Sequence, residues 1–535
     1  MTTLVFDPSA RRLENGRVLL GGQPARRLRF TPAGARMVDA WRAGEPVGEG
    51  AGARRLAERL IDAGLAHPRP ARGVVSVRDV AVVIPARDRT DALAACLARV
   101  GACGELVVVD DGSTDPAAVA AVVTKRCQAT LSDHAPRIVR REVGGGPAAA
   151  RNAGVAATAA PFVAFLDSDT LPTAGWLEPL VAHFADPRVG AVAARVRVPA
   201  GTSALAAYEA ARSPLDLGPH PGIVGPGRRI GYVPAAALVV RRAALGERMR
   251  FGEDVDLVWR LAAAGWIVRY EPAAVVEHPH RATLRAWLAQ RAAYGSSAGP
   301  LARRHPGKMR HVVAPRQALL PWALALANKP KLALTAAALE FAWHELAAQP
   351  REPAAPTPRE PAAPAPREPA APAPREPAAP APREPAAPAP REPAAPAPRE
   401  PAAPAPRDRA APPRNPAPPP RGFARRREFA GLALESRART ARQIADAATR
   451  AHAPALLLTR RGRRFLAAAF VAGTAADWLT RRPALDPLRF GALRLADDLA
   501  YAAGVWKGCA RARTPAPLVP SILAPDGKYP KLDCE

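Results

Sequence analysis

Cysteine is scarce in this chain. Its 535 residues hold five, Cys96, Cys103, Cys127, Cys509 and Cys534. None forms a Cys-x-x-Cys pair and the number is odd. Neither a disulfide framework nor a zinc site is expected, and a reducing cytoplasm fits. Long apolar runs are missing as well. Ala318 to Ala327 and Leu332 to Trp343 are split by Asn328-Lys329-Pro330-Lys331, and Phe465 to Ala476 follows Arg460-Arg461-Gly462-Arg463-Arg464. None reaches the roughly 18–20 uninterrupted apolar residues of a transmembrane helix. These segments read as core helices, or as helices lying in a membrane interface beside a basic patch. The N-terminus has no apolar h-region, so no secretory signal is expected. Acidic residues are the third shortage, with 48 Asp+Glu against 76 Lys+Arg and a formal net charge of +28. That balance favours an anionic partner, whether nucleotide phosphates, an acidic membrane surface or nucleic acid. GC-rich coding accounts for the Arg and Ala excess equally well.

Proline, by contrast, is abundant, at 63 residues. Much of it lies in residues 351–406, seven tandem octapeptides Arg-Glu-Pro-Ala-Ala-Pro-x-Pro. Proline at this density blocks helix and sheet and predicts a disordered, extended polyproline II spacer across 351–420. Each unit carries one Arg and one Glu and so adds no net charge. Upstream, residues 1–70 read as a small α/β or winged-helix unit. Short strands flank Gly21-Gly22, and Thr31-Pro32 supplies the cap and first turn of a helix with Met37, Val38 and Trp41 on one face. Residues 78–310 alternate buried strands (Val80 to Ile84, Leu106 to Val109, Phe162 to Leu166) with helices. This is an α/β, doubly wound, mostly parallel pattern, whose ligands bind at the carboxyl ends of the strands. An apolar helical segment at 311–350, a basic and apolar helical region at 421–520 and a tail at 521–535 complete the chain.

Acidic motifs sit at those strand ends. Asp167-Ser168-Asp169 follows Phe165-Leu166, and two like charges this close to a buried strand call for a cation or for donors that neutralise them. Oxygen ligands suit Mg²⁺ or Mn²⁺ bridging the protein to phosphates. His278 is a candidate third ligand, although a lone histidine is more often structural. Asp110-Asp111-Gly112-Ser113 ends another strand. Asp111 there can accept from a base N–H or ribose hydroxyls, or the string is an Asp-Gly turn leading to a helix cap. Pro85 and Arg87 close the first strand, where the main chain can cup a nucleoside. Gly144-Gly145-Gly146-Pro147 opens a helix carrying Arg151, either to approach phosphate or for tight packing. Glu253-Asp254 stands at the start of a helix, where a carboxylate can take a proton from an acceptor hydroxyl. Arg291 is placed to meet a departing diphosphate. This order of motifs points to transfer of a sugar from a nucleotide diphosphate donor.

Together these strings resemble a family 2 glycosyltransferase with a GT-A fold, over about residues 78–300. The chain is more similar still to the glycosyltransferases of the mycofactocin system, through Arg87-Asp88-Arg89, Tyr294-Gly295-Ser296-Ser297-Ala298, Asp497-Asp498-Leu499-Ala500-Tyr501 and Gly504-Val505-Trp506-Lys507-Gly508-Cys509. The proline repeat departs from that family's pattern. The resemblance implies a PqqD-like peptide-recognition unit at residues 1–70 and an inverting hexosyltransferase. It implies UDP-glucose as donor and a peptide-derived redox cofactor or its precursor as acceptor, decorated with a β-1,4-linked glucose chain. By motif position it implies that Asp111 contacts uridine, that Asp167 and Asp169 serve the metal and the ribose-diphosphate, and that Asp254 is the base.

Other readings compete. A sugar-nucleotide-binding scaffold without turnover sits badly with the presence of every expected acid. No base-reading motif accompanies the positive charge, so no specific nucleic-acid partner is expected. A family 2 transferase acting on a lipid or polysaccharide in the cell envelope remains, although the lack of a membrane span weighs against a processive membrane synthase. The expected location is cytoplasmic, with peripheral contact at the inner face of the cell membrane.

Overall fold

The computed structural model describes residues 2–339 and 438–523 apart from short stretches, among them 130–135, 246–253, 310–312 and 316–319. Glu253 and the octapeptide spacer lie outside the described residues. The N-terminal unit comprises β1 (Thr3–Phe6), β2 (Arg11–Leu13), β3 (Val18–Gly21), β4 (Arg26–Arg29), α1 (Pro32–Arg42), α2 (Ala51–Asp62) and β5 (Ala66–Arg69). Strands β2, β3 and β4 form an antiparallel sheet, and β1 pairs with β5. Thr31 caps α1 by accepting from Gly34 N at 3.1 Å. Leu19, Val38, Leu60 and Leu65 are fully buried between the helices and strands.

The central unit runs through β6 (Val80–Ala86), α3 (Thr90–Leu97), β7 (Glu105–Asp111), α4 (Pro116–Ala129), β8 (Arg137–Arg141), α5 (Pro147–Ala156), β9 (Phe162–Leu166), β10 (Leu171–Pro172) and α6 (Leu177–Val181). It continues with β11 (Val189–Arg197), α7 (Ala204–Arg212), β12 (Gly222–Val224), β13 (Ala237–Arg241), α8 (Arg242–Leu245), α9 (Asp254–Ala263), β14 (Ile267–Glu277), α10 (Leu284–Ser296) and α11 (Ala298–Arg304). Among the described residues its sheet has nine strands, in the order β10-β14-β11-β13-β9-β6-β7-β8, with β12 on β14. Parallel pairing joins β8, β7, β6 and β9, while β13 runs antiparallel to both β9 and β11. The result is α/β and mostly parallel, as the GT-A expectation requires. The apolar runs make strands because both faces are covered. Val80, Val82 and Ile84 enter the core on one side of the sheet, and Val83 enters the core on the other. Gly154 of α5 is required by close packing, because a Cβ there would come within 2.2 Å of Val83 Cγ1.

Beyond the sheet lie α12 (Arg460–Arg481) and α13 (Pro487–Ala512). A short parallel pairing of β15 (Val313–Pro315) with β16 (Ser521–Leu523) joins the end of the central unit to the C-terminal segment. Helices α10, α11 and α13 meet at glycines. A Cβ on Gly295 would lie 2.2 Å from Tyr501 O, on Gly299 2.1 Å from Gly508 O, on Gly504 2.0 Å from Ala292 O, and on Gly508 2.2 Å from Ser296 O. Beside this crossing is a buried ionic network. Arg212 reaches Asp477 and Asp497 at 3.2 and 2.9 Å, Tyr208 donates to Asp497 at 3.0 Å, and Arg494 pairs with Asp477 and Asp446. No described helix is long and apolar enough to cross a membrane.

The N-terminal unit packs at one end of the sheet. Asp62 pairs with Arg188, just before β11, and Asp7 with Arg229, beside β12. Strand β12 lies against the beginning of β14, from Val268 to Tyr270.

Candidate active site

The opposite end of the sheet, where the parallel strands finish, opens into a cavity of about 590 Å³. Its wall includes Pro85, Arg87, Asp111, Arg151, Asp167, Asp169, Asp254 and His278. Eight of the residues picked out by sequence are therefore gathered around one space. Arg291 does not line it. That side chain is buried, pairs with Glu209, lies 3.2 Å from Asp497 and sits over the ring of Trp287. A guanidinium held by two carboxylates inside the helical crossing is not presented to a ligand in the cavity, which corrects its expected role as a diphosphate contact.

Backbone geometry sets each carboxylate. At the end of β6 the chain turns through Asp88, whose φ is 57°. Asp88 Oδ1 accepts from Thr114 N and Oγ1 at 2.6 and 2.8 Å, and its own N–H donates to Ser113 Oγ at 3.0 Å. The loops after β6 and β7 are thereby fastened together, and Arg87 and the buried Asp111 both line the cavity. Asp111 accepts from Gly145 N and Gly146 N at 3.1 and 2.7 Å and is paired with Arg141. In this arrangement two N–H groups of the glycine-rich loop are directed at a carboxylate. Gly112, at φ 74°, lets the chain pass against Gly144, whose N would be 2.7 Å from any Cβ at that position.

Arg151 sits at the centre of the acidic set. It donates to Asp167 at 2.7 Å and to Asp254 at 3.4 Å, and it is buried. Burial works against its charge, but the two carboxylates outweigh that and raise its pKa. Asp169 is paired with Arg89 and lies 3.2 Å from His278 Nε2 and 3.8 Å from Arg281. Burial would raise its pKa, but the His278 hydrogen bond and the nearby positive charge hold it below the usual carboxylate range. The same contact, with the charges of both aspartates, outweighs burial at His278 and raises the imidazole pKa. Ligand atoms of Asp167, Asp169 and His278 all lie within 4.8 Å of one another. Two carboxylate oxygens and one imidazole nitrogen in that space fit a hard divalent cation.

Asp254, the first residue of α9, lines the same cavity and is tied to Asp167 through Arg151. Its Oδ2 accepts from Ala235 N at 2.9 Å. Burial pushes its pKa up and the Asp167 charge adds to this, while Arg151 and the Ala235 N–H oppose it. The net shift is upward. Gln290 and Tyr294, from the same motif as Arg291, also line the cavity, as do Leu215 and Pro234, which sequence reasoning did not single out. Those last two carry no acidic or glycine signal, and only the fold brings them there.

A family model described as glycosyl transferase family 2 matches residues 81–243. The chain is 35% identical over 534 residues to the pre-mycofactocin glycosyltransferase of Mycobacterium tuberculosis, which covers 96% of this chain and 97% of that protein. The succinoglycan biosynthesis protein ExoU of Rhizobium meliloti is 37% identical over 94 residues, 17% of this chain and 26% of that one. Among solved structures, the mannosyltransferase PcManGT from Pyrobaculum calidifontis, in complex with GDP-Man and Mn²⁺, is 20% identical with a TM-score of 0.34, covering 54% of this chain and 86% of that chain. Similarity that runs from one end of the relative to the other decides the matter: the chain belongs to the family 2 glycosyltransferases of the mycofactocin system and is a nucleotide-sugar-dependent transferase.

Proposed function

We propose that this enzyme transfers glucose from UDP-glucose to pre-mycofactocin, a peptide-derived redox cofactor precursor, with inversion at the anomeric carbon. The observation that carries the reading is the cavity itself, which Asp167, Asp169, His278 and Asp254 all line, with Arg151 joining Asp167 to Asp254. Asp254 accepts the proton of an acceptor hydroxyl. The freed oxygen forms a bond to the anomeric carbon as the bond from that carbon to the UDP oxygen breaks. A single displacement by one base inverts the centre. Asp167, Asp169 and His278 would hold Mg²⁺ or Mn²⁺, which would neutralise charge on the departing diphosphate. Arg87 and Asp111 line the nucleoside side, and Arg151 orients Asp167 and Asp254 with respect to each other. Repeated transfer onto the newly added sugar builds a β-1,4-linked chain.

Residues 1–70 hold the acceptor or its peptide carrier. The outer edge of β4 is the surface proposed for this, because among the described residues β4 pairs only with β3. The deciding experiment measures UDP release by the purified protein from UDP-glucose, UDP-galactose and GDP-mannose, with and without pre-mycofactocin. UDP-glucose and pre-mycofactocin together should give the fastest release, with products differing by whole hexoses in the mass spectrum. Release that responds only to a lipid or polysaccharide acceptor would replace this reading with one of cell-envelope synthesis.

A further inference from the structure

The outer sides of the two C-terminal helices have an unusual composition. Between Phe490 and Trp506 the exposed positions of α13 are Ala492, Leu495, Leu499, Ala503 and Trp506. Their spacing of three and four residues places them on one side of the helix. Leu488 extends the stripe and is 85% exposed. The inner side of the same helix carries the buried Arg494, Asp497 and Asp498. Charge is thus buried on the inner side, alongside Phe490, Ala502, Val505 and Cys509, while the outer side between Phe490 and Trp506 is apolar. Helix α12 repeats the pattern. Every exposed position from Ala467 to Leu479 is alanine, valine or leucine, and Val471 and Leu479 are 65% and 63% exposed. Apolar surface that continues along two helices marks a contact with something other than water.

The charges at the margins say what that contact is. Over residues 460–513, every exposed charged side chain is Arg or Lys except Asp486, which caps α13 by accepting from Leu488 N and Arg489 N. Arg460, Arg461, Arg463 and Arg464 open α12, and Arg481, Arg482 and Arg489 cluster at the turn between the helices. An apolar strip flanked by arginines matches the boundary between acyl chains and anionic headgroups. It does not match a span, because α12 begins with its arginines and no described helix is apolar enough to cross. We infer that the outer sides of α12 and α13 form a peripheral docking surface for an anionic lipid membrane. The surface is separate from the catalytic cavity, and the inference does not depend on the identity of the acceptor.

The test is sedimentation of the full chain with vesicles of phosphatidylglycerol and phosphatidylcholine, and with phosphatidylcholine alone. The wild type should pellet with the anionic vesicles only, and less so as salt is raised. Leu495→Glu/Leu499→Glu and Arg461→Glu/Arg464→Glu should each lower the bound fraction by roughly tenfold or more. All of these positions are exposed, so folding should be retained, and UDP release with a water-soluble acceptor should equal that of the wild type. Wild-type protein that stays in the supernatant with anionic vesicles would overturn the inference, as would equal partition of wild type and both variants. A third overturning result would be an oligomer that the leucine variants convert to monomer, with vesicles having no effect. The covering partner would then be a second copy of the chain.

Discussion

Asp254 and Asp169 are both aspartates at one cavity, yet their surroundings pull them apart. Asp169 is held ionised by His278 and Arg89, whereas burial favours the protonated form of Asp254. Asp254→Asn should still bind UDP-sugar and should lower kcat by roughly 10²–10⁴, the usual consequence of losing a general base. Equilibrium binding of UDP together with single-turnover transfer measures the two separately. The pH profile follows from the sign of the shift. The proposed base works deprotonated, so the rate should fall as pH drops through a pKa that lies above the ordinary 3.8. The acid limb of kcat/KM should accordingly appear above that value and disappear in Asp254→Asn. For the acidic pair, Asp169→Asn or treatment with EDTA should remove most of the transfer while thermal unfolding changes little. Titration with Mn²⁺ followed by paramagnetic resonance checks the binding itself. That Asp167 and Asp169 would line a site was legible in the sequence, because they directly follow the buried strand β9. The burial of Arg291 was not legible, since its partners Glu209 and Asp497 lie 82 residues before it and in the last long helix.

Short elements were readable where physics leaves one solution. The runs Val80 to Ile84 and Phe162 to Leu166 have no polar face, so they had to become covered strands. The reversed direction of β13 was not readable, because Ala237–Arg241 looks like any other buried strand and its direction depends on the connections around it. Gly295, Gly504 and Gly508 were visible only as part of a family motif and Gly299 not at all, and their purpose is backbone contact. Gly504→Val would drive a side chain into Ala292 O, and Gly295→Val into Tyr501 O. Each should cost about 1–3 kcal/mol by forced separation of the helices. Thermal denaturation should show a clear drop in Tm for both, and Gly491→Ala should show little, because its nearest neighbour is Thr474 Cγ2 at 3.6 Å.

At the scale of the whole molecule, pH should act on the joints as well as on catalysis. His67 and His183 are buried against Asp7 and Glu271, and burial outweighs those hydrogen bonds to lower both imidazole pKa values from 6.5. An unfolded chain binds protons at these groups more readily than the folded one below pH 6.5. Stability from them is therefore present above 6.5 and declines as pH falls towards the folded values. His67→Gln should flatten the pH dependence of Tm between pH 7 and 5. Deleting residues 351–406 should leave the catalytic rate nearly unchanged, since no proposed site residue is there. The N-terminal unit is fixed where β11 and β14 begin, and the cavity opens where they end. Strand β11 has nine residues, so at ~3.3 Å per residue its two ends are about 26 Å apart. On the proposed reading, a carrier held by the N-terminal unit would bridge the long dimension of the sheet to deliver its reactive end. The proposed arrangement would measure its substrate. A peptide too short to span the gap gains nothing from the first grip, whereas one just long enough is presented at high local concentration. In a series of shortened carriers, KM should rise abruptly below roughly eight to ten residues of reach, and removal of residues 1–70 should erase that threshold while leaving hydrolysis of the donor intact.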